Sequence, residues 1–150
     1  MILSILTTLV SEMRVSGKKL PPLGFGQRSF QNEVIDSFTF PNGYVHLDSP
    51  LTANDTVSQS GYVGRKFPVK IFFLFKSELD WTPTQHDTRC IVPARALINQ
   101  FIERCSQSDN IDSIENLSEL EVYDLFDANT SGIILSVTIK PKNESSICLE

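Results

Sequence analysis

The chain carries two histidines, and each stands beside an aspartate that could give it a chemical role. His46 and Asp48 lie two residues apart in a segment that alternates like a strand, which places both side chains on one face. Such a pair can act as an acid–base couple or supply two metal ligands. His86 is followed by Asp87 in the first turn of a predicted helix, where an acidic side chain favours the helix dipole. With no third group beside either pair, we expect His46 at an exposed strand position and His86 on the helix surface.

A second candidate is the stretch 127–134 (DANTSGII), which copies the first half of a calcium-binding loop. It has oxygen-bearing side chains and a glycine at the spacing that such a loop requires. The last position of the loop needs a bidentate glutamate, and Thr138 stands there instead. Asp, Asn and Gly are equally the residues that tight turns favour. The sequence therefore predicts a hairpin turn over 127–132 and no calcium site.

The three cysteines, Cys90, Cys105 and Cys148, are widely spaced and match no zinc-binding pattern. We expect them to be reduced thiols. Cys105 lies in an apolar helical stripe, which favours a small buried hydrophobe over a nucleophile. No serine stands in a G-x-S-x-G elbow. The sequence groups no nucleophile, base and oxyanion donor together, so we predict no enzyme activity, no metal and no cofactor.

Length and charge limit the class of protein. The chain has 150 residues, of which 41% are hydrophobic, and these values favour one globular domain. Its 18 acidic and 13 basic residues give a net charge of −5. That balance argues against a nucleic-acid-binding surface as the main function, because such surfaces concentrate Lys and Arg. No apolar run reaches the roughly 18 residues that a transmembrane helix needs.

Apolar spacing predicts two helices, over about 2–13 and about 82–105. The second begins with a capping signal, since Thr82 can accept from the first amides and Gln85 completes a capping box. Pro93 lies inside that helix and should kink it, because its ring removes one backbone hydrogen bond.

Strand patterns lie on both sides of the second helix. We predict a strand at 44–47, a central strand with both faces covered at 69–75, and a hairpin of 120–126 with 133–139. Residues 106–118 are polar and acidic and are expected to form a loop. The order α-β-β-α-β-β predicts an α+β fold, with an antiparallel or mixed β-sheet packed against one or two helices.

Three segments are predicted to lie outside regular core structure within a single domain over 1–150. The polar stretch 48–64 is too long for a tight turn and too polar for the core, so we interpret it as a protruding loop or a long, flexible hairpin arm. Gly24 and Gly26 predict a loop up to residue 28. From about residue 142 we expect a flexible polar tail that could order on a partner.

Four stretches, taken in chain order, carry a family resemblance. They are the short N-terminal helix, the aromatic strand 69–75 followed by 76–80 (KSELD), the capped start 82–85 (TPTQ) of a long helix, and 123–132 (YDLFDANTSG) leading to a last strand and the tail 143–148 (NESSIC). In this order they resemble the tail-completion or tail-terminator proteins of tailed bacteriophages, most nearly those carried by phages and prophages of Bacteroidetes. The resemblance covers most of the chain and matches least over 48–64.

The resemblance implies a structural virion protein at the head–tail interface. Such a subunit forms a ring with further copies of itself, usually a hexamer, that caps the head-proximal end of the tail tube. The ring stops polymerisation of the tail tube protein and presents a surface to the head connector, without chemistry. DNA would pass through it without specific binding, no membrane would be involved, and assembly would take place in the host cytoplasm.

We expect surfaces rather than single catalytic groups to carry this function. The predicted contacts lie on the arm and where the chain leaves the central strand: Thr52, Asn54, Asp55, Tyr62, Arg65, Lys76, Glu78 and Asp80. Alternatives within the class are a neck or connector protein and a cap subunit of a phage-derived contractile apparatus. From a different class, the alternative is a small intracellular enzyme or ligand-binding domain that uses His46 and Asp48.

Overall fold

The computed structural model describes residues 2–26, 43–59, 61–125 and 129–142. The α+β class, the mixed sheet and its packing against helices, as the sequence predicts, are confirmed. In chain order, the elements are α1 (Ile2–Glu12), β1 (Arg14–Val15), β2 (Lys18–Lys19), β3 (Gly24–Gly26), β4 (Tyr44–Asp48), β5 (Asn54–Ser58), β6 (Gly61–Lys76), α2 (Pro83–His86), a π-helical segment (Asp87–Ile91), α3 (Val92–Gln107), β7 (Ile111–Leu125) and β8 (Thr130–Pro141).

The second helical region begins as its capping signal predicts. The Thr82 hydroxyl accepts from the Gln85 amide at 3.3 Å, and the Gln85 side chain accepts from the Thr82 amide at 2.8 Å. Both partners satisfy backbone donors that a helix start would otherwise leave unpaired. A π-helical segment then precedes Pro93, with the Val92 amide bonded to the Asp87 carbonyl five residues back. The disturbance expected at Pro93 therefore takes the form of a widened turn before it.

The sheet is built around β6. Its strand order is β3-β4-β6-β8-β7, and β5 pairs with the first part of β6. The short β3 runs parallel to β4, and the other neighbours are antiparallel. The prediction of a central strand over 69–75 is confirmed, since β6 lies between β4 and β8 and residues 71–75 are buried.

One face of the sheet packs on α1 and α3 to form the main core. Phe73 of β6 meets Phe101 of α3 edge to face, with ring centroids 5.9 Å apart. Side chains alternate across a strand, so the neighbours of Phe73 lie on the opposite face. There Tyr44, His46 and Phe72 are also buried. The residues that form the helix-side core include Leu6, Leu9, Val45, Leu47, Ile71, Leu97, Ile98, Ile133, Leu135, Val137 and Ile139.

The prediction of a loop over 106–118 is wrong, because β7 already begins at Ile111. The pairing of β7 with β8 shifts register at three places along the strand. Asn116 and Asp124 have positive φ angles of 57° and 49°. Each bulge interrupts the two-residue alternation by which a strand is recognised. The hairpin of β7 with β8 is present as predicted.

Short strands in the N-terminal part were also missed. Gly24 and Gly26 belong to β3 rather than to a loop, and they pair with His46 and Asp48. A Cβ at Gly24 would come within 1.8 Å of the Tyr44 hydroxyl, so only glycine allows this approach. The order α-β-β-α-β-β therefore describes only the longer elements. The tail beyond residue 142 and part of the 127–132 turn lie outside the described residues.

We predict that Gly132→Ala strongly destabilises the protein. A Cβ at Gly132 would lie 1.9 Å from the Phe73 carbonyl oxygen, which is backbone and cannot rotate away. Overpacking of this kind costs at least about 1–3 kcal/mol in unfolding free energy. Gly64→Ala in β6 is the matched control, because its nearest atom is the flexible end of Lys140 at 2.9 Å. Equal urea midpoints for the two variants would contradict the prediction.

Candidate functional site

The arm residues predicted from the sequence come together in one hairpin. Asn54 and Asp55 stand in β5, and Asp55 pairs across the ladder with Arg65 of β6. The Arg65 Nε donates to Asp55 Oδ1 at 2.6 Å, and both side chains are largely exposed. Thr52 is exposed just before β5, and Tyr62 stands in β6 opposite Val57. Exposed ion pairs add at most about 1 kcal/mol, so this pair contributes little to the stability of the hairpin.

The arm is a two-stranded ribbon that continues past the rest of the sheet. Among the described strands, β5 pairs with β6 and with no other. Val57 on the ribbon is 71% exposed. At the base, Lys66 bonds Glu115 of β7 at 2.5 Å and ties the ribbon to the sheet. A two-stranded ribbon alone is only marginally stable, and this one exposes an apolar side chain at Val57.

The other predicted contact residues lie at the opposite end of β6. Lys76 is its last residue, and Glu78 and Asp80 follow in an exposed loop. Arg65 and Lys76 are eleven residues apart along one strand, which spans up to about 36 Å. The structure therefore places the predicted contacts in two separate groups.

The sequence did not reveal a buried polar cluster at that end of β6. The cluster consists of Ser77, His86, Asp124 and Ser131, and we call it the His86 corner. Ser77 Oγ donates to Asp124 Oδ1 at 2.9 Å, and the Asp124 amide donates to Ser131 Oγ at 2.9 Å. His86 places Nδ1 3.3 Å from Ser131 Oγ and Nε2 3.5 Å from Asp124 Oδ2. The prediction of His86 on the helix surface is wrong, because it is 6% exposed.

The hydroxyls of the His86 corner form a chain of hydrogen bonds. Ser131 Oγ donates to Ser77 Oγ at 2.9 Å, and Ser77 Oγ donates on to Asp124 Oδ1. Because the one Ser131 proton is directed at Ser77, the tautomer that fits has its proton on His86 Nδ1 and donates to Ser131 Oγ. Ser131 is completely buried, so no substrate reaches its hydroxyl. The serine, histidine and aspartate resemble a hydrolytic triad in composition, but here they join the end of β6 to α2 and to the β7–β8 hairpin.

Aromatic side chains cover the His86 corner. The His86 ring meets Trp81 and Tyr123 edge to face, with centroids 5.7 and 5.8 Å apart. The Arg89 guanidinium lies over the Trp81 ring at 4.9 Å. Tyr123 is 49% exposed. The cluster joins Ser77 and His86 to two residues that lie 38 to 54 positions further along the chain, so no local pattern indicated it. The signal in the sequence was a hydroxyl-bearing residue next to two apolar strands, with Ser77 after 69–75 and Ser131 before 133–139.

His46 is fully buried, so the expectation of an exposed position is wrong. Its Nε2 lies 3.0 Å from the Gly26 carbonyl oxygen and its Nδ1 lies 3.0 Å from the Tyr44 hydroxyl. The tautomer that fits donates from Nε2 to Gly26 and accepts from Tyr44. Burial lowers the pKa of His46, against smaller raising effects of the Gly26 hydrogen bond and the Asp48 charge. With both nitrogens engaged, His46 fastens β4 to β3 rather than serving as a base.

The described cysteines are buried thiols, as expected for Cys105. Burial raises the pKa of Cys90 to about 11 and that of Cys105 to about 12. A thiolate is the nucleophilic form, so both groups stay unreactive near neutral pH. Among residues 2–26, 43–59, 61–125 and 129–142, no cluster of three or more His, Cys, Asp or Glu could hold a metal ion. No helix in that part of the chain is long and apolar enough to cross a membrane.

Comparison with known proteins adds no assignment. No protein-family model matches this chain, and no curated protein matches it.

We predict that Ser131→Ala destabilises the protein by about 1–3 kcal/mol. The change removes the acceptor of the Asp124 amide and the partner of His86, and leaves buried polar groups unpaired. Ser136→Ala on the same strand is the control, because Ser136 is half-exposed and its loss should change unfolding free energy by under about 0.5 kcal/mol. Chemical denaturation measures both. Similar losses of unfolding free energy in the two variants would contradict the proposal that the His86 corner holds these elements together.

The lowered pKa of His46 predicts that stability falls as pH decreases. The folded state binds a proton at His46 less readily than the unfolded chain does. The contribution of neutral His46 to the free energy of unfolding is therefore complete above the unfolded pKa of 6.5 and declines below it. The slope for one proton has a limit of about 1.4 kcal/mol per pH unit. His46→Gln keeps one donor and one acceptor but has no titrating group. Unfolding free energies between pH 8 and 5.5 should give a flatter profile for this variant, and parallel profiles would refute the assignment.

Proposed function

We propose that this protein is a tail terminator of a tailed bacteriophage, a subunit whose copies form a ring on the head-proximal end of the tail tube and join it to the head connector. The proposal joins the family resemblance of the sequence with one structural observation, the hairpin arm. Enzyme chemistry at His46 and Asp48 has no support in the site, since both His46 nitrogens already have protein partners.

The arm carries the proposal because its position and exposure suit a contact with another chain. It continues past the sheet, and Val57 on it is 71% exposed. Strand edges can bind a neighbouring chain by main-chain hydrogen bonds. A contact between the arm of one copy and a different surface of the next is heterologous, and such contacts close into rings when the rotation permits.

The charge of the chain suits a channel through which DNA moves. The net charge of −5 gives a duplex no electrostatic reason to stay bound. The described ion pairs support this, since Arg65, Lys66, Arg95 and Arg104 each face a carboxylate. A ring of such subunits would pass DNA without holding it.

Imaging of purified particles tests the proposal directly. The expected result is a ring of copies at the end of the tail tube next to the head. A ring against the portal would assign the protein to the neck instead. Absence from particles, together with a protein that stays a single copy in solution, would refute both placements.

We predict that shortening the arm abolishes self-association without unfolding the subunit. Replacing residues 57–63 with Asn-Gly joins Thr56 to Gly64 through a two-residue turn and preserves the Asp55–Arg65 pair. Sedimentation velocity should show single copies for this variant and larger species for the unaltered chain. The melting temperature is the control and should change by only a few degrees. Unchanged assembly would refute the role of the arm.

A further inference from the structure

An exposed surface with acidic and aromatic groups covers the His86 corner. We call it the acidic aromatic patch, and it consists of Glu78, Leu79, Asp80, Trp81, Asp87 and Tyr123. Leu79 is 72% exposed and Tyr123 is 49% exposed. Tryptophan and tyrosine are among the residues that most often anchor protein contacts.

The acidic aromatic patch joins three acidic side chains to two aromatic rings that pack on a buried residue. The rings of Trp81 and Tyr123 each meet His86 edge to face, and the exposed Lys76 lies next to the patch along the chain. Among the described residues, Glu78 and Asp80 form no ion pair, and Arg89 is engaged on the face of Trp81. Acidic side chains around an apolar centre define a docking surface for a segment that is basic.

The chain itself contains such a segment, the hairpin of β1 and β2. We call it the basic hairpin, over residues 14–19. Its turn residues Ser16 and Gly17 have φ angles of 50° and 78°, as a tight two-residue hairpin turn requires. Lys18 and Lys19 are both exposed, and no described residue forms an ion pair with either.

The basic hairpin is fixed at a distance from the patch in its own chain. The Arg14 amide donates to the Gln100 side chain at 3.1 Å, and Gln100 donates back to the Arg14 carbonyl at 2.7 Å. Gln100 stands on α3, fourteen residues beyond His86. At about 1.5 Å of rise per residue, that separation is about 21 Å. The basic hairpin and the acidic aromatic patch are therefore held apart within one subunit. The hairpin of one subunit can still contact the patch of another.

We propose that the basic hairpin of one copy docks on the acidic aromatic patch of the next copy. The inference rests on the proposed ring, and it names a second contact beside the arm. Lys18 and Lys19 face Glu78, Asp80 and Asp87 of the neighbour, while Leu79 and Trp81 supply apolar area at the centre. Because the two surfaces differ, the contact is heterologous and repeats around a ring.

Charge reversal on each side tests this docking. Lys18→Glu with Lys19→Glu, and separately Glu78→Lys with Asp80→Lys, should each weaken self-association at least about ten-fold in sedimentation velocity at moderate salt. An equimolar mixture of the two variants should assemble again, because every contact in an alternating ring then joins opposite charges. The control is Lys70→Glu with Lys142→Glu, which makes the same charge change at exposed positions elsewhere.

The outcomes separate this inference from the proposed function. Loss of assembly in both variants and its return in the mixture support the docking. Assembly unaffected by reversal, or lost equally in the control, overturns the docking and leaves the arm-based ring in place. An unaltered chain that stays a single copy at every concentration overturns both.

Discussion

Ten consecutive residue pairs join β6 to β8, from Phe67 opposite Ile139 to Lys76 opposite Thr130, and the rest of the structure depends on that register. A slip of one residue would exchange the two faces of a strand along its whole length. Phe73 would then leave the ring of Phe101 on α3. The close approach of Gly132 to the Phe73 backbone holds the pairing where it is, because no other residue fits there.

The register of β6 with β8 also determines where the arm and the His86 corner lie. At one end, β6 runs past β8 and its free portion forms the arm with β5. At the other end, the chain leaves β6 at Ser77, whose amide donates to the Asn129 carbonyl at 2.8 Å and whose hydroxyl reaches Asp124. One long strand therefore determines the distance and orientation between the arm and the His86 corner.

The sequence predicted those parts in which local pattern and tertiary burial agree. The stripe of β8 and the capping box at Thr82 depend on residues a few positions apart, and both were correct. β7 was assigned only in part, since its bulges near Asn116 and Asp124 break the alternation. The two histidines were misplaced for another reason. Burial of His46 and His86 depends on partners 20 and 45 positions away in the chain, and no local pattern of residues identifies such distant partners.

The irregular outer strand has a consequence for crowding. Three register shifts and two left-handed residues interrupt β7, the last of the described strands on its side of the sheet, so its outer margin offers no straight row of amide and carbonyl groups. On this side of the sheet, the irregular strand therefore resists the edge-to-edge pairing by which the sheets of separate copies fuse into fibres.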